Sequence, residues 1–311
     1  MVFFNAVQGV LTIFLLIAVG FFLSYKKWFD DKSRMLLSKL VTSVALPAYM
    51  ISNLLSTYDR NKLVSLAGGL LIPFVTIAVG YVVANLLIPI LKIPKGRRGI
   101  FSTMFAFSNT IFVGLPVNLA LFGEESVPFV LIYYIANTTL FWTIGSYFIT
   151  KDGGYEGKLF SKESLNRIFS PPLLGFFVAI ILILLGVTLP KSIMEFCKYL
   201  GALTTPLSML FIGIVIQSVN LKKFRIDRGM VAIIFGRFIF SPGLVLLMSF
   251  FIPLPHLMRN VFIIQAAMPV MTNTSIIAQR YDGDYEYAAV VTTLSTLVSL
   301  IAIPIYMIFI S

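Results

Sequence analysis

The 311-residue sequence has very few residues of the types that build metal sites and hydrolytic sites. Cys197 is the only cysteine and His256 the only histidine. A disulfide framework, a thiolate metal site and a zinc site are therefore excluded, because none of them forms from one ligand of each type. A Ser-His-Asp triad would have to use the single histidine, which lies in a short loop. We expect no enzymatic activity and no cofactor.

Charge is also scarce, since charged residues make up 12% of the chain and hydrophobic residues 58%. A soluble globular domain does not tolerate that composition, so we predict an all-α integral membrane protein with the lipid bilayer as its surroundings. Asp and Glu are absent from the interior of every long apolar run. This absence disfavours a carboxylate proton relay and a carboxylate-based ion site.

Apolar windows of about 18 to 25 residues, the length of a transmembrane helix, recur along the chain. We predict ten spans, at 3–24, 35–56, 64–91, 100–122, 127–149, 169–188, 193–219, 229–252, 260–279 and 286–310.

The basic residues are sorted by loop. The loops after spans one, three, five and seven, at 26–34, 92–98, 151–167 and 222–228, carry four Lys or Arg each. The opposite loops carry only Arg60, Lys62, Lys191 and Arg259. Because cytoplasmic loops retain positive charge, we predict a multi-pass protein of the cell membrane with both termini extracellular. The net charge of +11 is thus a topology signal, and we expect no nucleic-acid partner.

Two of the predicted spans contain polar triplets and helix breakers at bilayer depth. In span four, Ser108, Asn109 and Thr110 precede the helix-weakening Gly114 and the helix-breaking Pro116. In span nine, Pro269 precedes a second hydroxyl-Asn-Thr triplet at 272–274. Unwound backbone at that depth persists only inside protein or along a wet cavity. Two broken spans in corresponding halves indicate a transport site.

Local matches recur between the two halves of the chain at a nearly constant separation. The separations are 159 residues for Lys39 and Lys198, 159 for Pro47 and Pro206, and 164 for Asn109 and Asn273. We predict a five-helix repeat over 1–155, a cytoplasmic linker over 156–168 and a second repeat over 169–311. Because five is odd, the second repeat is inverted, with the substrate site between the halves.

The substrate-binding candidates are polar residues within the spans, namely Ser108, Asn109, Thr110, Asn273, Thr274, Asn53, Asn137 and Arg237. Their amides and hydroxyls suit a carboxylate or a small cation, and half-helix N-termini would add partial positive charge. The alternative is that these side chains only satisfy neighbouring helices. Arg237 lies roughly 10 to 13 Å into the membrane, where it either contacts substrate or binds carbonyls at a helix break. We favour the second role.

Four motifs carry a resemblance to a known family. They are LLSKLVTSVALPAYM after the first span, SNTIFVGLP, AMPVMTNTSIIAQRYDGD and LSTLVSL. The sequence resembles the auxin efflux carrier family, which comprises the plant PIN carriers and their bacterial relatives, along essentially its whole length. Plant members have proline beside each crossing, where this chain has Ser108 and Thr274. The chain is similar to the bacterial branch, whose proposed substrates include malate and malonate.

The resemblance implies ten spans in two inverted five-helix repeats, with broken helices four and nine crossing at the membrane centre. The broader fold is similar to that of bile-acid symporters and sodium-proton antiporters. The resemblance also implies elevator-type alternating access and a homodimer. We therefore expect a secondary transporter for a small organic anion, such as an auxin-like or dicarboxylate compound, driven by the membrane potential or acting in efflux. A sodium-coupled symporter with a bound sodium ion, and a non-transporting metabolite receptor with the same fold, are the alternatives.

Overall fold

The computed structural model describes residues 2–59, 67–156, 168–219 and 226–310. Three predicted regions lie outside these ranges. They are most of the linker, the basic residues at 222–225, and Arg60 and Lys62 in the loop after span two. In the described chain the α-helices are α1 (Val2–Tyr25), α2 (Asp31–Leu40), α3 (Leu46–Thr57), α4 (Leu71–Leu91), α5 (Arg98–Ala106), α6 (Gly114–Phe122), α7 (Val127–Leu140), α8 (Ser146–Asp152), α9 (Pro171–Leu184), α10 (Lys191–Ala202), α11 (Thr204–Ser218), α12 (Arg228–Phe235), α13 (Ser241–Phe251), α14 (His256–Ala266), α15 (Asn273–Arg280) and α16 (Tyr285–Ile310). The predicted all-α class is confirmed.

Seven helical runs among the described residues are long enough and apolar enough to cross a membrane. They are Val7–Tyr25, Lys32–Thr57, Leu71–Leu91, Glu124–Asp152, Lys191–Ser218, Arg228–Phe251 and Tyr285–Phe309. The helix α9 is apolar but shorter. Large apolar side chains such as Leu11, Leu15 and Phe22 of α1 are exposed on the outside of the molecule. The protein is therefore a multi-pass membrane protein whose apolar surface faces lipid.

Three of the long runs contain a wider π-helical turn, at Val41–Ala45, Phe141–Gly145 and Gly236–Phe240. Such a turn inserts a residue and changes which side chains beyond it face a neighbouring helix, and it is frequent at functional sites. Thr42 lies in the first of these turns and Arg237 in the third. Both residues take part in the interior polar structure described below.

Two glycines allow the backbones of α1 and α11 to approach closely. A Cβ atom added at Gly20 would lie 2.4 Å from the Leu210 carbonyl oxygen, and one at Gly213 would lie 2.2 Å from the Ile17 carbonyl oxygen. In a membrane, helix association depends on van der Waals contact, which small residues increase by letting the backbones approach. These glycines therefore fix the position of α1 against α11.

The predicted spans four and nine are interrupted helices in the structure. The first is divided into α5 and α6, and the second into α14 and α15. Residues Gly99–Ala106 of α5 and Asn260–Ala266 of α14 are all buried. The helix ends that lead into both interruptions are thus shielded from lipid, as unwound backbone requires.

Candidate substrate-binding site

The two interruptions, at residues 107–113 and 267–272, contact each other through their backbones, and we call this contact the crossing. The Asn109 N–H donates to the Pro269 carbonyl oxygen at 2.8 Å, and the Met271 N–H donates to the Phe107 carbonyl oxygen at 3.3 Å. These two bonds run in the antiparallel sense. The unwound segments therefore satisfy part of each other's hydrogen-bonding capacity in a region without bulk water.

Side chains from α7 and α16 bond to the outer edges of this pairing. Asn137 of α7 accepts from the Ser108 N–H at 3.1 Å and donates to the Ser108 carbonyl oxygen at 3.0 Å, in the manner of a neighbouring strand. Ser295 of α16 accepts from the Val270 N–H at 3.1 Å. Each interruption is thus held by the long helix that follows it in the chain.

Arg237 is fully buried against the same crossing. Its guanidinium donates to the carbonyl oxygens of Ala106 at 2.8 Å, Met268 at 3.1 Å and Phe105 at 3.3 Å, and also to that of Ala266. These carbonyls lie at the C-terminal ends of α5 and α14, where the helix dipoles place partial negative charge. The single guanidinium group therefore compensates the partial negative charge of two helix ends.

Asn109 joins the start of α6 to the second interruption. Its Oδ1 accepts from the Phe112 N–H at 3.1 Å, and its own carbonyl oxygen accepts from the Gly114 N–H at 2.9 Å. Its Nδ2 donates to Thr272 Oγ1 at 2.9 Å. Asn109 thus satisfies two free N–H groups at the start of α6, one with its side chain and one with its carbonyl, and its amide connects α6 to the second interruption.

A cavity of about 300 Å³ lies beside the crossing. Its apolar lining is formed by Ile111, Phe112, Trp142, Pro171, Pro172 and Met271. Its polar lining is formed by Ser38, Thr42, Ser108, Asn109, Thr110, Tyr134, Thr138, Ser170, Thr272 and Asn273. This volume is at the lower end of the range that small-molecule sites occupy.

The polar lining of this cavity is uncharged throughout the described part of the chain. Its hydroxyls and amides can both donate and accept hydrogen bonds. Asn273 is the first residue of α15, so the N-terminal end of that half-helix adds partial positive charge at the cavity wall. The arrangement can hold a small anionic group by hydrogen bonds and dipoles, without a fixed counter-charge.

Comparison with known proteins identifies the family. The profile of the family described as membrane transport protein matches residues 5–307. The chain belongs to this family, the auxin efflux carriers. One relative, named as an uncharacterized transporter of Methanocaldococcus jannaschii, is 27% identical over 307 residues, which cover 96% of each chain. Another uncharacterized transporter, from Methanothermobacter thermautotrophicus, is 25% identical over 98% of this chain and 99% of its own. The protein is therefore a membrane transporter.

In this auxin efflux carrier family member, four of the predicted substrate-binding residues line the cavity, namely Ser108, Asn109, Thr110 and Asn273. Thr274 is fully buried and does not line it, and its hydroxyl has no hydrogen-bond partner among the residues described. Asn137 and Arg237 also lie outside the lining, because their polar groups are directed to the backbone of the crossing. The structure thus separates residues that face the cavity from residues that hold the interrupted helices.

Asn53 lies away from the cavity, near the far end of α3. Its Nδ2 donates to the carboxylate of Glu124, which also accepts from the Tyr49 hydroxyl. Glu124 begins the short turn between α6 and α7. The amide of Asn53 therefore connects α3 to a turn of the interrupted region and is not placed against a ligand in the cavity.

The three predicted helix-breaking residues take different positions in this family member. Pro269 lies within the second interruption and supplies one of its carbonyl acceptors. Gly114 and Pro116 instead fall in the first turn of α6, where a proline removes no hydrogen bond that the helix needs. A Cβ atom at Gly114 would lie 2.4 Å from Gln265 Oε1, so a larger residue there would displace the Gln265 side chain of α14.

Several cavity residues are absent from the predicted set. They are Ser38, Thr42, Tyr134, Trp142 and Ser170. A signal for some of them is present in the sequence, because Ser38 and Thr42 are four residues apart, as are Tyr134, Thr138 and Trp142. Residues with that spacing share one face of a helix. The spacing does not show which face of the helix lines a cavity, so only the three-dimensional structure identifies them.

Proposed function

We propose that this transporter is a secondary carrier that moves a small organic anion across the membrane by elevator-type alternating access. The observation that carries the proposal is the uncharged polar cavity beside two crossed helix interruptions. Hydroxyl and amide donors together with a half-helix N-terminus suit a carboxylate group. The proposed contacts are Ser108, Asn109, Thr110, Thr272 and Asn273.

The proposed architecture is ten transmembrane segments in two inverted five-helix repeats, 1–155 and 169–311, joined by the linker 156–168. The matching roles of Asn137 and Ser295 support it, since each lies on the helix that follows an interruption and bonds to that interruption. Inverted repeats place such pairs around a site at mid-membrane. The basic loops support an orientation with both termini extracellular. The family resemblance supports a homodimer.

The membrane potential sets the energetics of the proposed transport. An inside-negative potential favours outward movement of an anion by about 2.3 kcal/mol per charge per 100 mV. Efflux therefore needs no coupling ion. Uptake against this potential requires sodium or protons, and a sodium ion would have to be held by carbonyl and hydroxyl oxygens, because charged groups are missing from the described cavity lining.

The test is electrogenic flux in proteoliposomes with malate, malonate, other carboxylates and indole-3-acetate, each measured with and without sodium. Asn109→Ala removes the bond to Thr272 and the cap of α6. We expect at least about a 5-fold lower flux at subsaturating substrate, because one such bond contributes on the order of 1 kcal/mol or more to binding. Asn85→Ala is the matched control, since Asn85 bonds to Tyr81 within α4 and lies outside the lining of the cavity.

Saturable flux that Asn109→Ala reduces and Asn85→Ala preserves would support a carrier with its site at the crossing. Sodium dependence of that flux would assign a coupled symporter, and its absence a uniporter. Binding of a carboxylate without flux under any gradient would overturn the carrier and support a receptor.

A further inference from the structure

A second, larger cavity of about 610 Å³ adjoins the first. Ser38, Thr42 and Thr272 line both cavities. The two spaces are therefore neighbours that share a wall. Arg34 and Met35, which line the second space, lie near the start of α2, directly after the basic loop at 26–34. The second space therefore lies toward the face of the molecule that carries the basic loops.

The two cavities differ in charge. The first is lined by uncharged side chains, whereas Arg34 and Lys39 line the second, and no acidic side chain joins them there within the described chain. Lys39 is exposed, and Arg34 donates to Ser218 Oγ on the opposite wall at 3.4 Å. The larger cavity therefore carries positive charge that the smaller one lacks.

Two rows of polar side chains run from these cations toward the candidate site. Arg34, Ser38 and Thr42 are spaced by four residues on one helix, so they share a face over about 12 Å. On the facing element, Gln279, Ser275 and Thr272 form a second row that ends beside the second interruption. Both rows begin at the larger cavity and end at residues shared with the smaller one.

We propose that the larger cavity is an anion-collecting vestibule and that Arg34 and Lys39 give the transporter its preference for anions on the face that carries the basic loops. Clefts lined by charge of one sign concentrate ligands of the opposite sign and raise their association rate. The cavity at the crossing then binds the substrate by uncharged groups, so the substrate is not held by a fixed ion pair that would slow its release. This inference rests on the proposed function.

The experiment compares malonate with the neutral malonamide in proteoliposomes, with each compound supplied from the face that carries the basic loops. For Lys39→Gln we expect the KM for malonate to rise by about 3- to 10-fold, with turnover unchanged, because steering acts on association. The increase should disappear at high ionic strength, where exposed charges are screened. Lys39→Arg should retain the wild-type KM, and Arg34→Gln should act in the same direction as Lys39→Gln.

Lys151→Gln is the matched control, because Lys151 is an exposed lysine in the last turn of α8, beside another basic loop, and lines neither cavity. Supplying malonate from the opposite face is a second control, for which Lys39→Gln should leave the KM unchanged. The vestibule is overturned if Lys39→Gln and Arg34→Gln keep the wild-type KM, if Lys151→Gln raises it equally, or if the KM for malonamide rises in parallel. Wild-type protein that moves no compound of the carboxylate panel would instead overturn the proposed function itself.

Discussion

Replacement of Arg237 by methionine tests what holds the crossing together. The substitution keeps a long apolar stem and removes every hydrogen bond from the guanidinium to the carbonyls at the ends of α5 and α14. Each buried carbonyl that loses its partner destabilises the fold by about 1 to 3 kcal/mol. Part of this loss is offset, because burying the charged group itself costs several kcal/mol. We expect a net destabilisation of about 3 to 5 kcal/mol, because the loss at four carbonyls outweighs the relief from burying the charge.

The measurement is the apparent melting temperature of the purified protein, read together with flux. A destabilisation of this size lowers the melting temperature by about 6 to 10 °C in a chain of this length. Arg237→Lys is the control, since it keeps the positive charge but not the planar set of guanidinium donors. Its melting temperature should lie between those of the wild type and Arg237→Met. The reasoning is refuted if Arg237→Met has the melting temperature of the wild type but no flux, because that result would indicate that Arg237 binds the substrate instead of stabilising the fold.

Two further substitutions test the interrupted helices. Asn137→Ala leaves the N–H and the carbonyl of Ser108 without their side-chain partner, so we expect a loss of about 2 to 4 kcal/mol in stability and reduced flux; a melting temperature equal to that of Asn85→Ala would contradict this. Gly114→Ala places a methyl group on the Gln265 side chain and should destabilise by about 1 to 3 kcal/mol. In a protein that already carries Gln265→Ala, the Gly114→Ala substitution should destabilise less than it does in the wild type. If the two losses in stability simply add in this double-mutant cycle, the contact between the methyl group and Gln265 is not strained.

The positions of the interruptions could be predicted from the sequence because the physical signal is local. Polar triplets next to proline and glycine inside apolar runs cannot form ordinary lipid-facing helices. The role of Arg237 followed from similar reasoning, since a buried guanidinium needs acceptors and a helix break offers carbonyls. Its position in the structure, against the carbonyls of both half-helices, agrees with the role we favoured from the sequence.

The cavity lining could be predicted only in part because it depends on how helices are rotated against each other. Asn53 and Ser38 lie on the same long helical run, and the sequence alone does not show that one bonds to Glu124 while the other faces the cavity. The wider turn at Val41–Ala45 separates these two residues and changes the face that each presents. Asn137 illustrates the same limit, since its residue type suits a ligand but its neighbour is the backbone of Ser108.

The crossing is held mainly by main-chain groups, which pair with each other or bond to Asn109 and to a few side chains outside the cavity. Every amino acid supplies the same main-chain N–H and carbonyl, proline excepted for the N–H. Side chains that line the cavity, other than Asn109 and its partner Thr272, can therefore be exchanged while the hydrogen bonds that maintain the crossing remain in place. Members of this family could inherit one framework and diverge in what they carry, and selectivity could be redesigned at the lining without rebuilding the fold.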